Sequence, residues 1–186
     1  MPGWPDFDHW FPPIDAPERR PAPTFALRHP AEEEHGRLLE LAADWLEQPT
    51  LRPVVPRLVL RQQAGVSWLA ETDDGQMIGL LLGLVGPSRP DEAAIALVGV
   101  DPALRRRGIG RTLVERFLAD AAEHGAARVI AVVRPGDRLV LAFFAALGFA
   151  PDSGPGSTRI HGVPAFADWD GPGEDRVLLV RGCGGA

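Results

Sequence analysis

The sequence predicts a mixed α+β domain, a central sheet flanked by helices. Three observations lead there. Met77 to Val85 and Ala93 to Val100 are apolar runs separated only by turn residues, so strands follow one another without a helix between them. Val129 to Val133 is short, continuous and β-branched, as expected of a strand buried on both faces, and it lies between two helical patterns. Helices therefore separate only some of the strands, which favours a mixed sheet over a fully parallel one. The length, 186 residues, suits one domain with its own core.

The elements follow in order. Thr24 to Arg28 alternates, with Phe25 and Leu27 on one face, and reads as a first strand ended by His29-Pro30. Glu32, Glu33 and Glu34 suit a helix N-terminus. Leu38, Leu41, Ala42 and Trp45 then fall at helical spacing, predicting a helix to about Glu47. Gln48 to Pro56 carries three prolines and reads as a loop, and Val55 to Gln63 as a short second helix. Ser67 to Glu71 and Met77 to Val85 form a hairpin across Asp73-Asp74-Gly75. Gly86 to Asp91 turns the chain into the strand Ala93 to Val100. Beyond Asp101-Pro102 a helix spans about Gly108 to His124, with Ile109, Leu113 and Phe117 on one face and Gly125 as its stop. After Val129 to Val133, Asp137 to Leu147 reads as a helix ended by Gly148, and Phe149 starts an extended piece. Pro151 to Asp175 is rich in Gly, Pro and Asp and reads as mostly loop. Arg176 to Arg181 is a last strand.

Residues 1–23 differ in composition from the rest of the chain. Prolines at 2, 5, 12, 13, 17, 21 and 23 disfavour regular structure, yet Trp4, Phe7, Trp10 and Phe11 are more aromatic content than a solvated linker carries. Two readings stand: a flexible leader, or an arm docked on this domain or on a second subunit, which would make the protein a homodimer. The domain itself is assigned to residues 24–181, and 182–186 to a short, loose tail with Cys183 as a bystander. One cysteine permits no intramolecular disulfide and no cysteine-based metal site, and no metal is expected. Acidic residues outnumber basic ones by 25 to 19, for a formal charge of -6, which argues against a general nucleic-acid binder and is compatible with a cationic substrate. Met1 to Trp10 has no signal-peptide pattern, and no apolar run approaches the ~20 residues that span a bilayer. The expectation is a cytoplasmic protein with no membrane contact.

The stretch that carries chemistry is Val98-Gly99-Val100-Asp101-Pro102-Ala103-Leu104-Arg105-Arg106-Arg107-Gly108-Ile109-Gly110-Arg111. A buried strand runs through a turn into an arginine-rich, glycine-punctuated loop and then a helix. The first turn of a helix leaves backbone N–H groups without partners, and with the helix dipole they make an anion site. Gly108 and Gly110 keep side chains away from it, while Arg105, Arg106, Arg107 and Arg111 add charge and bidentate geometry. A pyrophosphate is the natural guest. Leu113 stands where a dinucleotide-binding turn would need its third glycine, and no Gly-Lys-Ser/Thr run of a P-loop exists.

Arg105-x-x-Gly108-x-Gly110 behind Val98-Gly99-Val100-Asp101-Pro102 resembles the acetyl-CoA motif of the GNAT acetyltransferases. Ala142-Phe143-Phe144-Ala145-Ala146-Leu147-Gly148-Phe149 is similar to that family's later helix, which ends in Leu-Gly-Phe. The resemblance covers roughly residues 24–181. It implies a mostly antiparallel sheet splayed between its two central strands, with acetyl-CoA entering the gap between the strand of Val98 and that of Val129 to Val133. It further implies that the main chain at Val98 and Val100 pairs with the pantetheine arm. The N–H groups from Arg106 to Arg111, Ile109 included, would hold the pyrophosphate. An N–H near Val98 or Gly99 would steady the oxyanion as a primary amine attacks the thioester directly, a contact worth ~3 kcal/mol. The acceptor would be a small-molecule or protein amine.

The chain departs from the family pattern in places. It contains no tyrosine, and Phe144 stands where the family commonly has the tyrosine that protonates the leaving thiolate. Asp137 replaces an asparagine that usually contacts the cofactor. The thiolate either leaves unassisted, with a pKa near ~8.5, or takes a proton from water or another side chain. A third reading is a non-catalytic acyl-CoA-binding regulatory module. Glu92 and His161 are the candidates for general base, and Asp168, Trp169 and Asp170 for contact with the acceptor, since an aromatic between two carboxylates suits an organic cation. Trp45 and Trp68 are further candidates for that pocket but sit at core spacing.

Overall fold

The computed structural model describes residues 21–46 and 57–183. The aromatics of the leader, the loop 48–56 and the last three residues lie outside them. Among the described residues, nine strands and four helices follow one another. They are β1 (Phe25–Arg28), α1 (His35–Trp45), α2 (Arg57–Gln63), β2 (Trp68–Thr72), β3 (Met77–Leu84), β4 (Glu92–Val100), α3 (Ile109–Glu123) and β5 (Arg128–Val133), then α4 (Arg138–Ala145), β6 (Ala150–Pro151), β7 (Thr158–Ile160), β8 (Val163–Ala165) and β9 (Val177–Gly182).

Seven strands form one sheet in the order β1-β2-β3-β4-β5-β9-β6. Each neighbouring pair is antiparallel except β4 and β5. Two apolar clusters define its faces. On one, α1 and α2 press Leu38, Leu39, Ala42, Trp45 and Leu60 onto Leu69, Leu80 and Leu82. On the other, α3 and α4 bury Leu113, Phe117, Leu141 and Phe144 against Ile78, Val129, Ala131 and Leu179. Glycines in β3 bring α3 close: a Cβ at Gly83 would stand 2.2 Å from the Phe117 ring and 2.3 Å from the Val66 carbonyl, distances no packed core tolerates.

Some boundaries move. α1 stops at Trp45 and α4 covers only Arg138 to Ala145. The Gly/Pro-rich stretch after β6 holds a small hairpin, β7 against β8, closed by His161-Gly162 with φ of 48° and 86°. Both central residues in the left-handed region are what a two-residue hairpin turn requires. β5 is buried on one face only. Val129, Ala131 and Val133 are covered, but Val132 is 40% exposed, because the α1–α2 cluster reaches β2, β3 and β4 and not β5. Cys183 is no loose-tail residue: its N–H donates to Ala127 O at 2.9 Å, and burial pushes its thiol pKa up.

At the start of the domain Arg28 holds two carboxylates, Glu34 at 2.7 Å and Glu71 at 2.6 Å, tying β1 to β2 and to the turn before α1. The Arg28 hydrogen bond holds the Glu34 carboxyl at about 2, below its ordinary 4.5. Across the sheet, the Trp68 indole N–H donates to the buried Asp120 of α3, with Arg116 4.5 Å over the indole and the His29 ring tilted against it at a centroid distance of 4.0 Å. No helix among the described residues is long and apolar enough to cross a membrane.

Candidate functional site

The site begins with a defect in β4. Against β3, Leu82 faces Leu97 but Gly83 faces Ile95, so Ala96 is one residue too many and forms a bulge. A bulge bends its strand and sharpens the local twist. Against β5, β4 pairs only from Glu92 to Ile95, opposite Arg128 to Ala131. Past that point β5 continues beside β9 to Val133 while β4 stays with β3, and a wedge-shaped gap opens between the central strands.

The register decides which groups face this gap. Asp101 N–H donates to Ile78 O at 3.1 Å, and Leu80 stands opposite Gly99. In an antiparallel ladder these contacts alternate. The N–H and C=O of Gly99 therefore turn to β3, and those of Val98 and Val100 turn to the gap. Gly99 serves packing on the other face, where a Cβ would meet the Trp45 ring at 3.5 Å.

Where β4 ends, Asp101 organises the turn by accepting from Ala103 N–H at 2.9 Å. Arg106 then takes a φ of 66° and Gly108 one of 93°, and α3 begins. Gly108 caps the helix, and a glycine supplies no side chain to the first-turn donors. Thr112 N–H is the first to bond back, to Gly108 O at 3.0 Å, leaving the N–H groups of Ile109, Gly110 and Arg111 ahead of the ladder. Ile109 is 1% exposed and pins this turn to the core. Space around Gly108 is open, whereas a Cβ at Gly110 would meet the Phe143 ring at 3.3 Å.

The arginines divide their work. Arg105 donates to Trp45 O and, at 3.3 Å, to Val100 O. Arg107 donates to Pro21 O at 3.2 Å and Ala103 O at 3.4 Å, which brings the end of the leader to this loop. Arg111 bridges Glu115 and Ala146 O, both at 3.3 Å. Arg106 is exposed. Thus Val98, Val100, Arg105, Arg106, Arg107, Gly108, Ile109, Gly110 and Arg111 converge around the mouth of the gap.

The remaining candidates are placed differently. Asp137 stands at the N-cap position of α4 without a side-chain capping bond, and its carboxylate lies 3.4 Å from Arg134. Phe144 is 3% exposed, its ring edge-on to Phe143 and Phe149. Glu92 starts β4, about 20 Å along the strand from Val98, and is tied to Arg89 at 3.1 Å and Arg128 at 2.8 Å. His161 occupies the exposed tip of the β7–β8 hairpin. Asp168 staples its own loop, accepting from Gly173 N–H at 2.6 Å, and Asp170 pairs with Arg176 at 2.7 Å. Trp169 is 47% exposed, 5.3 Å from the Phe166 ring. Trp45 and Trp68 are both core residues, Trp45 lying directly against β4. Ala96, one alanine among several, had no signal in the sequence, and Phe143 stood there only as part of the later helix, with nothing to mark its packing on the distant Gly110.

Comparison with known proteins accords with this geometry. The family described as Acetyltransferase (GNAT) family matches residues 24–149. An L-2,4-diaminobutyric acid acetyltransferase of Nocardia farcinica is 29% identical over 124 residues, 67% of this chain and 64% of that protein. A [ribosomal protein bS18]-alanine N-acetyltransferase of Escherichia coli is 34% identical over 59 residues, 32% of this chain and 40% of that protein. The match thus spans less than two thirds of either relative. Among solved structures, yncA of Salmonella typhimurium with its cofactor acetyl-CoA shares the fold at a TM-score of 0.63, with 15% identity over 88% of this chain and 96% of that one.

Proposed function

The chain belongs to the GNAT acetyltransferase family, and from that premise we propose that it transfers an acyl group from acetyl-CoA to a primary amine by direct attack on the thioester. The observation that carries this reading is the gap: it opens where β4 leaves β5, and the uncapped start of α3 stands at its mouth. The N–H groups of Ile109, Gly110 and Arg111, with the exposed Arg106, hold the pyrophosphate. Val98 and Val100 pair with the pantetheine arm as an added strand would. Gly99 is committed to β3, so the N–H of Val98 faces the thioester oxygen, where such a donor stabilises developing charge by ~3 kcal/mol. The amine nitrogen bonds to the carbonyl carbon, the C–S bond breaks, the pair leaves on sulfur as a thiolate, and the proton the nitrogen sheds on becoming an amide passes to water or to that thiolate.

Glu92 is locked between two arginines and His161 is a turn residue, so neither is assigned as base. The acceptor's ammonium loses its proton through water. The loop of Asp168, Trp169 and Asp170 offers the exposed Trp169 ring to a cationic acceptor, small or on a protein, while its carboxylates hold the loop in shape through Gly173 and Arg176. The two relatives, named for a diamino acid and for a protein's alanine, span that range.

Acetyl-CoA with a panel of diamines, amino acids and N-terminal peptides tests the reading through release of free thiol. Thiol release that depends on the amine is the expected result. Tight CoA binding without release across the panel supports the second reading, a CoA-binding regulatory module, which the missing tyrosine motivates. Absence of CoA binding overturns both.

A further inference from the structure

Arg105 opens the arginine run, yet its guanidinium does not simply face solvent. It donates to the carbonyl of Trp45 and, through Nε at 3.3 Å, to the carbonyl of Val100. Trp45 closes α1, and carbonyls in a last helical turn lack partners within the helix. A cation there is also favoured by the helix dipole. The carbonyl of Val100 faces the gap by its register. The Trp45 ring meanwhile lies against Gly99, between the two residues whose main chain faces that gap. One side chain of the anion loop therefore holds together the end of α1, the lip of the gap and the loop itself. These bonds use two of the five donors a guanidinium carries.

We propose that Arg105 is a positioning residue that couples cofactor occupancy to α1. A phosphate oxygen in the anion site takes a charge-assisted hydrogen bond from the same guanidinium that holds Trp45 O, stronger than a bond to a neutral carbonyl. Binding then stiffens the end of α1 and fixes Trp45 over Gly99. This inference rests on the reading that CoA occupies the anion site.

Hydrogen exchange of the full chain with and without saturating CoA tests it, with affinity measured by calorimetry. In the native protein, CoA is expected to slow exchange of the amides between Leu41 and Leu46. Arg105→Ala should bind CoA about tenfold more weakly, the loss expected for one charged hydrogen bond, and at saturation should show no such slowing. Arg105→Gln keeps neutral donors for the two carbonyls, so it serves if Arg105→Ala does not fold; it too should lose the CoA-dependent slowing. A clasp with a purely structural role would alter the melting temperature but leave the slowing intact in both variants. That result, or CoA binding to the native protein with no change in α1, overturns the proposal. If the native protein binds no CoA, the cofactor reading itself falls.

Discussion

Phe144 is buried in the core under α4, and its surroundings decide what a hydroxyl there would do. The ring is enclosed by Phe143 and Phe149 at centroid distances of 5.2 and 5.0 Å, in the cluster that packs α4 on the sheet. A buried hydroxyl without a partner costs ~1–3 kcal/mol. Phe144→Tyr is therefore expected to lower the melting temperature without raising turnover, both read on the same sample. Glu34 makes a pH-dependent case. Its folded pKa, about 2, lies below the ordinary 4.5, so the stabilisation it gives is present above about 4.5 and is lost as pH falls toward 2. Glu34→Gln should cost about 1 kcal/mol at neutral pH, allowing for partial exposure, and the difference from the native protein should vanish in urea titrations near pH 2. Single residues were also where sequence reading reached least far. Nothing in a run of arginines says that one of them turns away to bind two carbonyls, because that choice depends on where α1 ends in space.

The start of α3 shows how two glycines of one motif do different work. Gly108 needs a φ of 93° and has open space around it, while Gly110 lies against Phe143 of α4. A glutamate at either position puts a carboxylate at the anion site. Gly108→Glu should abolish CoA binding by calorimetry while lowering stability by only about 1–2 kcal/mol for the left-handed backbone. Gly110→Glu should lose both CoA affinity and substantially more of its thermal stability, because Phe143 must move. The strands and helices around this motif were legible because their periodicities were clean: the Asp73-Asp74-Gly75 hairpin, the amphipathic α3 and the apolar β4 all stand where the pattern put them. The β7–β8 hairpin was not. Its three-residue strands flank His161-Gly162, a turn pair lost among the glycines and prolines on either side.

Over the whole molecule, the order of the strands and helices that build the main sheet was readable, and so was the convergence of the glycine-arginine loop on a helix start. The opening of the sheet was implied only by family resemblance, since a bulge at Ala96 leaves no mark in a run of small apolar residues. The leader remains a proposal: an arm docked through Trp4, Trp10 or Phe11. Its described end supports this, since Ala22 packs against the main core and Pro21 O accepts from Arg107. A chain beginning at Thr24 is expected to melt at a lower temperature than the full chain; identical melting, oligomeric state and turnover would leave the leader without a role. The seam of the sheet has one more consequence, for the order in which the protein folds. β3 and β4 pair with their immediate predecessors across short turns, whereas β9 must return from Val177 to a strand that ends at Val133. Closing that long loop costs entropy before any of its contacts form. Within the sheet the two leaves pair through only four residue pairs of β4 and β5, so backbone pairing across the seam adds little to the meander, which can condense with α3 first. The leaf built from β5 and β9 then assembles late, and the gap is the last feature of the molecule to acquire its second wall.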